Sequence, residues 1–276
     1  MEKLLDSKVI VLTLSLFGLS FLSSSLWAEE LTGADIVQRC ELDKNAGVDQ
    51  RTRLTVLLRD ATGNEKKNVY RRYWKDFNGK KQIEDKMILF TEFPPDAKDT
   101  GFMRWGYVPG SDKNADQWVY LPSLETIRRV TVRDPGDSFL GSDLTYQDIS
   151  PRLLTQDEHR LIGEEILDGV VMYKVESVPK ESNPLYGKVI SWFQKASGWA
   201  DCNKRRIEHF DTNGNKIKVQ SLTWQKTGDA WTWDKVHVDN LKTGHSSVFE
   251  VSDVTIGVGL SDRMFSERGL KRPPRE

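Results

Sequence analysis

In the stretch RTRLTVLLRD, residues 51–60, Leu54, Val56 and Leu58 share one side of an extended chain, while Arg53, Thr55 and Arg59 share the other. The same two-residue period returns in KNVYRRYWK, KQIEDKMILF, QWVYLP, RLIGEEILDGVVMYKVESV, GKVISWFQK, KRRIEHF, KIKVQSLTWQK, WTWDKVHVDNL and SSVFEVSDVTIG. Short turn signals separate many of these runs: ATGNE, DFNGK, LDGVV, DTNGNK, KTGDA and LKTGH. Asn-Gly and Asp-Gly pairs supply the positive φ angles that tight hairpins need. The pattern therefore predicts about ten to twelve strands paired with their sequence neighbours in one antiparallel sheet. One face of such a sheet is dry and the other wet.

A sheet of that many twisted strands curls toward a barrel or half-barrel, with more room inside than its own side chains fill. Helical filler is scarce. Residues 31–45 form one candidate, with Thr32 as the cap, Asp35 at the capping-box position and Gly47 beyond the end. Residues 139–154, FLGSDLTYQDISPRLL, form a second, and a short turn near Phe265 a third. The second interrupts the alternation and brings Phe139, Leu140, Leu144 and Tyr146 together between Gly and Asp residues. It reads as a lid over an apolar hollow, partly helical if its apolar residues are to face inward, with hinges at Pro135-Gly136 and Gly141 and a stop at Pro151.

The expected lining of that hollow is Leu54, Val56 and Leu58, then Met87 and Leu89, Trp118 and Tyr120, and from the late strands Trp224, Val236, Val238 and Phe249. Taken singly, each of these residues fits a dry core better than a cavity wall, and only their number against so little filler argues for a hollow. Asp143 and Asp148 lie near Arg128 and Arg129 in sequence. The four read as a latch on the lid, as an acid/base pair, or as ordinary surface ion pairs. Cys40 and Cys202 fit either a disulfide in an oxidising compartment or two separate buried thiols.

Residues 1–28 hold Lys3 and Lys8, an apolar run VIVLTLSLFGLSFL and SSSLWA before Glu29. This reads as a signal peptide cleaved near Ala28, with an uncleaved anchor as the alternative, leaving one domain over 29–276. The formal net charge of −1 gives no drive toward nucleic acid. The basic clusters KRR (204–206) and LKRPPRE are balanced by acids and read as solvated faces or partner contacts. No sequence pattern calls for a cofactor or metal: His159, His209, His237 and His245 lack ligand spacing, although His237 and His245 flank one hairpin turn. No GxSxG, P-loop, HExxH or CxxC pattern is present. Ser142 and Asp143 remain the weak case for a hydrolase.

WVYLPSLETIRRV followed by DSFLGSDLTYQDI resembles the signature of the outer-membrane lipoprotein-sorting-like proteins, the LolA-like periplasmic carriers. LLRDATGNEKKNVYRRYW and ILFTEFPPDAKDTGFM resemble that family's first strands and turn, and MFSERGLKR its C-terminal close. Leu144 departs from the pattern, standing where an aromatic residue is usual, and the cysteine pair has no counterpart in it. The resemblance implies a mainly β fold: a large curved antiparallel sheet forming an incomplete β-barrel, LolA/LppX-like, with helices covering its concave face and an apolar cavity between. It implies a non-enzymatic periplasmic carrier of lipid or lipoprotein acyl chains toward an outer-membrane acceptor, in some members working with an inner-membrane RND-type exporter. The alternative from another class is a non-catalytic adaptor that docks an exporter.

Overall fold

The computed structural model describes residues 30–111, 113, 115–130 and 134–274. The signal-peptide reading falls outside them. Thirteen strands form one antiparallel sheet: β1 (Asp49–Arg59), β2 (Glu65–Asp76), β3 (Ile83–Phe93), β4 (Gly101–Tyr107), β5 (Asp116–Leu121), β6 (Thr126–Val130), β7 (Asp157–Leu167), β8 (Val170–Pro179), β9 (Lys188–Gln194), β10 (Lys204–Phe210), β11 (Lys216–Thr227), β12 (Ala230–Asn240) and β13 (Ser246–Ile256). The predicted runs all fall on strands. β4 and β6, read at first only as parts of motifs, bring the number above the expected range.

The spatial order is β6-β5-β4-β3-β2-β1-β13-β12-β11-β10-β9-β8-β7, two meanders joined where β1 pairs with β13. The two edge strands, β6 and β7, are thus consecutive in sequence. Of the chain between them, residues 139–149 lie across the inner face. This is why an apolar segment sits at that point of the sequence.

Inner and outer faces follow from register. Val56 opposes Phe249, which opposes Val236, which opposes Leu222. These residues pack with Leu54, Met87, Leu89 and Val238, and with Phe139 and Leu144 of the crossing segment. β3 is buried almost throughout because it is covered twice. Met87 and Leu89 face inward, whereas Ile88 and Phe90 face an outer cluster with Met103, Phe265 and Leu270. The turn near Phe265 therefore caps the outer face and is not internal filler. The short helix α2 (Glu267–Leu270) lies so close to β4 that a Cβ on Gly101 would stand 2.7 Å from the Leu270 side chain.

The N-terminal helix starts as predicted. Thr32 and Asp35 exchange both bonds of a capping box. Its α-helical part, α1 (Gly33–Val37), is shorter than expected and continues as one π-helical turn, Gln38–Leu42. Gly33 allows it to sit on β7, since a Cβ there would meet the Arg160 backbone at 2.7 Å. Ile36, Val37 and Cys40 then pack against Val175, Phe193 and Cys202, and a disulfide joins Cys40 to Cys202.

The crossing segment is not helical. Leu140 (φ 54) and Gly141 (φ 72) are both left-handed, which ends any α-helix there. The chain instead folds back through an isolated bridge between Ser138 and Thr145, with the Phe139 N–H donating to the Leu144 carbonyl at 2.8 Å. Phe139 and Leu144 point into the sheet without helical periodicity, 5% and 1% exposed.

Candidate functional site

A cavity of about 450 Å3 lies on the inner face, between the crossing segment on one side and the N-terminal helix on the other. Its floor comes from β9, β10 and β11 through residues such as Val189, Ile207 and Leu222. Trp224 and Trp233 close one side, Val37 and Cys40 the helical side, and Ile149 and Leu153 the side of the crossing segment. The volume falls within the roughly 300–1,000 Å3 usual for small-molecule sites.

Of the eleven predicted lining residues, Trp224 borders this cavity. Leu54, Val56, Met87, Leu89, Val236, Val238 and Phe249 form the dry core beneath the crossing segment, with Leu58 against its margin. Trp118 and Tyr120 are on the outer face, in the cluster around Phe265, and Trp118 lies 5.0 Å from Trp105, ring to ring. Strand parity assigned to β5 was off by one: Gln117 and Val119 face inward, because Gln117 opposes Arg104 and Val119 opposes Phe102. The crossing segment is thus a plug that fills one half of the hollow with its own side chains. Phe139 meets Phe102 and Tyr146 edge to face at 6.3 and 5.8 Å, and Leu140 packs against the same core. The cavity is the half left over.

Asp143 and Asp148 bond residues of the sheet, and Arg128 and Arg129 are not their partners. Arg129 pairs with Asp116 on the outer face, and Arg128 is exposed on the edge strand. Asp143 accepts bonds from Ser247 Oγ at 2.5 Å and Asn240 Nδ2 at 3.0 Å. Asp148, its side chain fully buried, accepts from Lys218 Nζ, from the Tyr186 hydroxyl at 3.0 Å and from the Thr145 N–H at 2.7 Å. Lys218 Nζ also donates to the Tyr186 oxygen at 2.5 Å.

Burial by itself raises the pKa of Asp148, but Lys218, His209 and the Thr145 N–H more than offset this and hold it below the ordinary value. Burial lowers Lys218 against the pull of Asp148. It also drives His209 down to about 3, so this imidazole is neutral near pH 7. Tyr186 is pushed up, first by burial and then by Asp148. The result is a polar knot at the cavity wall, where His209, Tyr186 and Asp148 all contribute to the lining.

The cavity rim is aromatic and carries both charges, Lys44, Arg152 and Lys204 with Glu41, Asp148 and Asp157. Lys44 donates to the Cys202 carbonyl at 2.9 Å and to Asn203 Oδ1 at 2.6 Å, with Trp224 and Trp231 rings 5.2 and 5.9 Å from its Nζ. Burial lowers its pKa to about 8. Lys204 pairs with Glu41 at 2.7 Å, and its neighbours Arg205 and Arg206 bond Gln194 and Glu208. Ser142 is bound within the plug, its hydroxyl donating to the Phe139 carbonyl at 2.6 Å and accepting the Leu144 N–H at 3.2 Å. Among the described residues no group of three or more His, Cys, Asp or Glu side chains is placed to hold a metal ion.

One large antiparallel sheet that does not close, with few helices, matches the LolA-like fold. The chain matches a putative outer membrane lipoprotein-sorting protein domain from Vibrio parahaemolyticus with a TM-score of 0.74 and 24% identity, over 87% of this chain and 98% of that one. A DUF1329 family protein from Desulfovibrio piger matches with a TM-score of 0.73 and 25% identity, over 86% and 97%. A LolA superfamily protein from Nitrosomonas europaea matches with a TM-score of 0.61 and 16% identity, over 87% and 99%. No curated protein matches the chain in sequence. The chain belongs to the family whose model, described as that of an uncharacterized protein, matches residues 83–272.

Proposed function

We propose that the protein is a periplasmic carrier that houses an acyl chain of a lipid or lipoprotein in the cavity between plug and helix, and that it performs no chemistry on it. The observation that carries this reading is the cavity itself, predominantly apolar in its lining, in a fold shared with a putative lipoprotein-sorting protein domain. Each methylene moved from water into such a site stabilises the complex by about 0.8 kcal/mol. Affinity therefore comes from length and needs no specific polar contact. The internal bonding of Ser142 supports the non-catalytic part of the reading. Export through residues 1–28 and hand-over to an outer-membrane acceptor, with or without an RND-type exporter, complete it.

Release has to be coupled to motion, because a buried hydrocarbon leaves slowly by itself. The plug is the element suited to move. The bonds of Asp143, Tyr146 and Asp148 hold it to the sheet beside the packing of Phe139 and Leu144, and Gly136 and Gly141 precede those bonds in the chain.

Val189→Trp places an indole in the cavity from the floor. It is expected to weaken binding of a fluorescent fatty acid at least tenfold while the thermal midpoint moves by only a few degrees. Native mass spectrometry of the protein taken from its own compartment should show bound lipid in the wild type and little in the variant. Equal fatty-acid affinity in both proteins would remove the cavity from the account.

A further inference from the structure

A second cavity, of about 240 Å3, lies on the other side of the plug. We infer that it is a binding site for an acidic group, a phosphate or a carboxylate, and that it takes the headgroup of the amphiphile whose tail fills the larger cavity. The tail half of this statement rests on the carrier reading above.

The two cavities share Gln147, Ser150, Pro151 and Arg152 in their walls, so they adjoin across one stretch of the plug. The smaller is the more polar. Two of its lining residues, Arg104 and Gln117, are directly opposite each other on β4 and β5 and face inward, 6% and 0% exposed. Arg104 spends one end of its guanidinium on Asp85, 3.1 Å from Nη1 to Oδ1, and its Nε–H has no partner. Gln117 Oε1 accepts the Tyr146 hydroxyl at 2.9 Å, and its Nε2 has no partner. Turning the amide over does not remove the surplus: the amide would then donate to Tyr146, and the Tyr146 proton would be free instead.

Two adjacent buried side chains with unmatched donors are costly unless an acceptor is supplied. The charges around them balance, three cations with three acids, so the pull on an acceptor is that of the unmatched donors. Arg104, Lys113 and Arg152 line the cavity with one acid, Glu181. Asp85 is already engaged by Arg104 and by Trp74 Nε1 at 2.8 Å, and Arg152 is held by Asp157 at 2.8 Å and Glu181 at 3.6 Å. An oxyanion has several lone pairs on one centre, the shape of acceptor that two neighbouring donors can meet together.

The test uses the delipidated mature protein and displacement of a fluorescent fatty acid by three amphiphiles with the same tail: a lysophosphatidic acid, a fatty acid and a neutral monoacylglycerol. The acidic heads should bind about tenfold more tightly than the neutral one, the gain of one charge-assisted hydrogen bond. Arg104→Lys keeps a charge for Asp85 but removes Nε, and Gln117→Met removes the amide at similar volume. Each should abolish the tenfold preference and leave the monoacylglycerol unchanged. Equal binding of all three in the wild type, or a preference that survives in a folded variant, overturns the inference, the cavity then holding water only. If none of the three binds, the carrier reading fails, and inorganic phosphate alone decides about this cavity. A phosphate-dependent rise in thermal midpoint that is lost in Arg104→Lys identifies a free-anion site, and no rise ends the inference.

Discussion

Asp148→Ala is expected to lower the unfolding free energy by about 3–5 kcal/mol, the usual consequence of leaving one half of a buried ion pair without the other. The substitution strands Lys218, whose side chain is 6% exposed, with only the Tyr186 oxygen and the Asp143 carbonyl as acceptors. It also frees the Thr145 N–H and the Tyr186 hydroxyl, and with them the far end of the plug. Urea melts read the loss. The double variant Asp148→Leu/Lys218→Met should recover much of it, because the desolvated charge goes as well. A double variant as unstable as the single one would mean that the plug depends on the shape of Asp148 and not on its charge.

The same knot sets the acid limit of the fold. His209 and Asp148 both have depressed values in the folded chain, so both contribute stability that is present above their unfolded values and lost as the pH falls. For His209 the loss begins below about pH 6.5 and approaches about 1.4 kcal/mol per pH unit on the way to its folded value. Asp148 adds to it below about pH 3.9. Stability should therefore fall by about 2 kcal/mol between pH 6.5 and pH 4.5 in the wild type. His209→Gln should flatten that interval while leaving the steeper loss at lower pH. A wild type already flat between those values would show that the imidazole is reached by water.

The sheet was legible because alternation is a local signal: each strand shows its wet and dry sides in its own residues. Where the segment FLGSDLTYQD belongs was also legible, since an apolar run framed by Gly and Asp does not fit a strand. Its conformation was not. The need to turn several side chains inward suggests a helix, but left-handed Leu140 and Gly141 meet that need with a tight loop.

The latch failed for a different reason. Sequence proximity favoured Arg128 and Arg129, whereas a plug that crosses the inner face meets residues some seventy to a hundred positions away: Lys218 at a separation of 70, and Asn240 and Ser247 at 97 and 104. A clue lay in KIKVQSLTW. There Lys218 and Gln220 alternate in phase with Leu222 and Trp224, placing a charge on a face otherwise dry. Such a lysine needs a carboxylate to come to it. The location of the cavity was hidden by the same crossing, because the strands that looked most apolar are the ones the plug covers. The room remains over β9–β11, where Ser191, His209 and Gln220 weaken the apolar pattern.

Replacing both cysteines by Ala should cost about 2–5 kcal/mol, and the loss should reach the cavity. Cys40 and Cys202 are 162 residues apart, so the bridge closes a loop that the unfolded chain otherwise explores freely. For loops of this length the chain-entropy argument gives roughly 5 kcal/mol, commonly less in measurement. The helix it ties down is short. α1 and the π-helical turn after it together span Gly33–Leu42, too few residues to persist without tertiary support. That support is the cluster of Ile36, Val37, Val175 and Phe193, together with Arg39 stacked 4.8 Å over Trp199.

Because Val37, Cys40 and Leu42 form one wall of the larger cavity, loosening the helix opens that wall to water. Reduction of the wild type should therefore do two things at once: lower the urea midpoint and weaken fatty-acid binding severalfold. Amide exchange in residues 33–42 should rise while β1 and β13 stay protected. If affinity were unchanged while stability fell, the bridge would act only on the unfolded chain, and the helix would hold its place through packing alone.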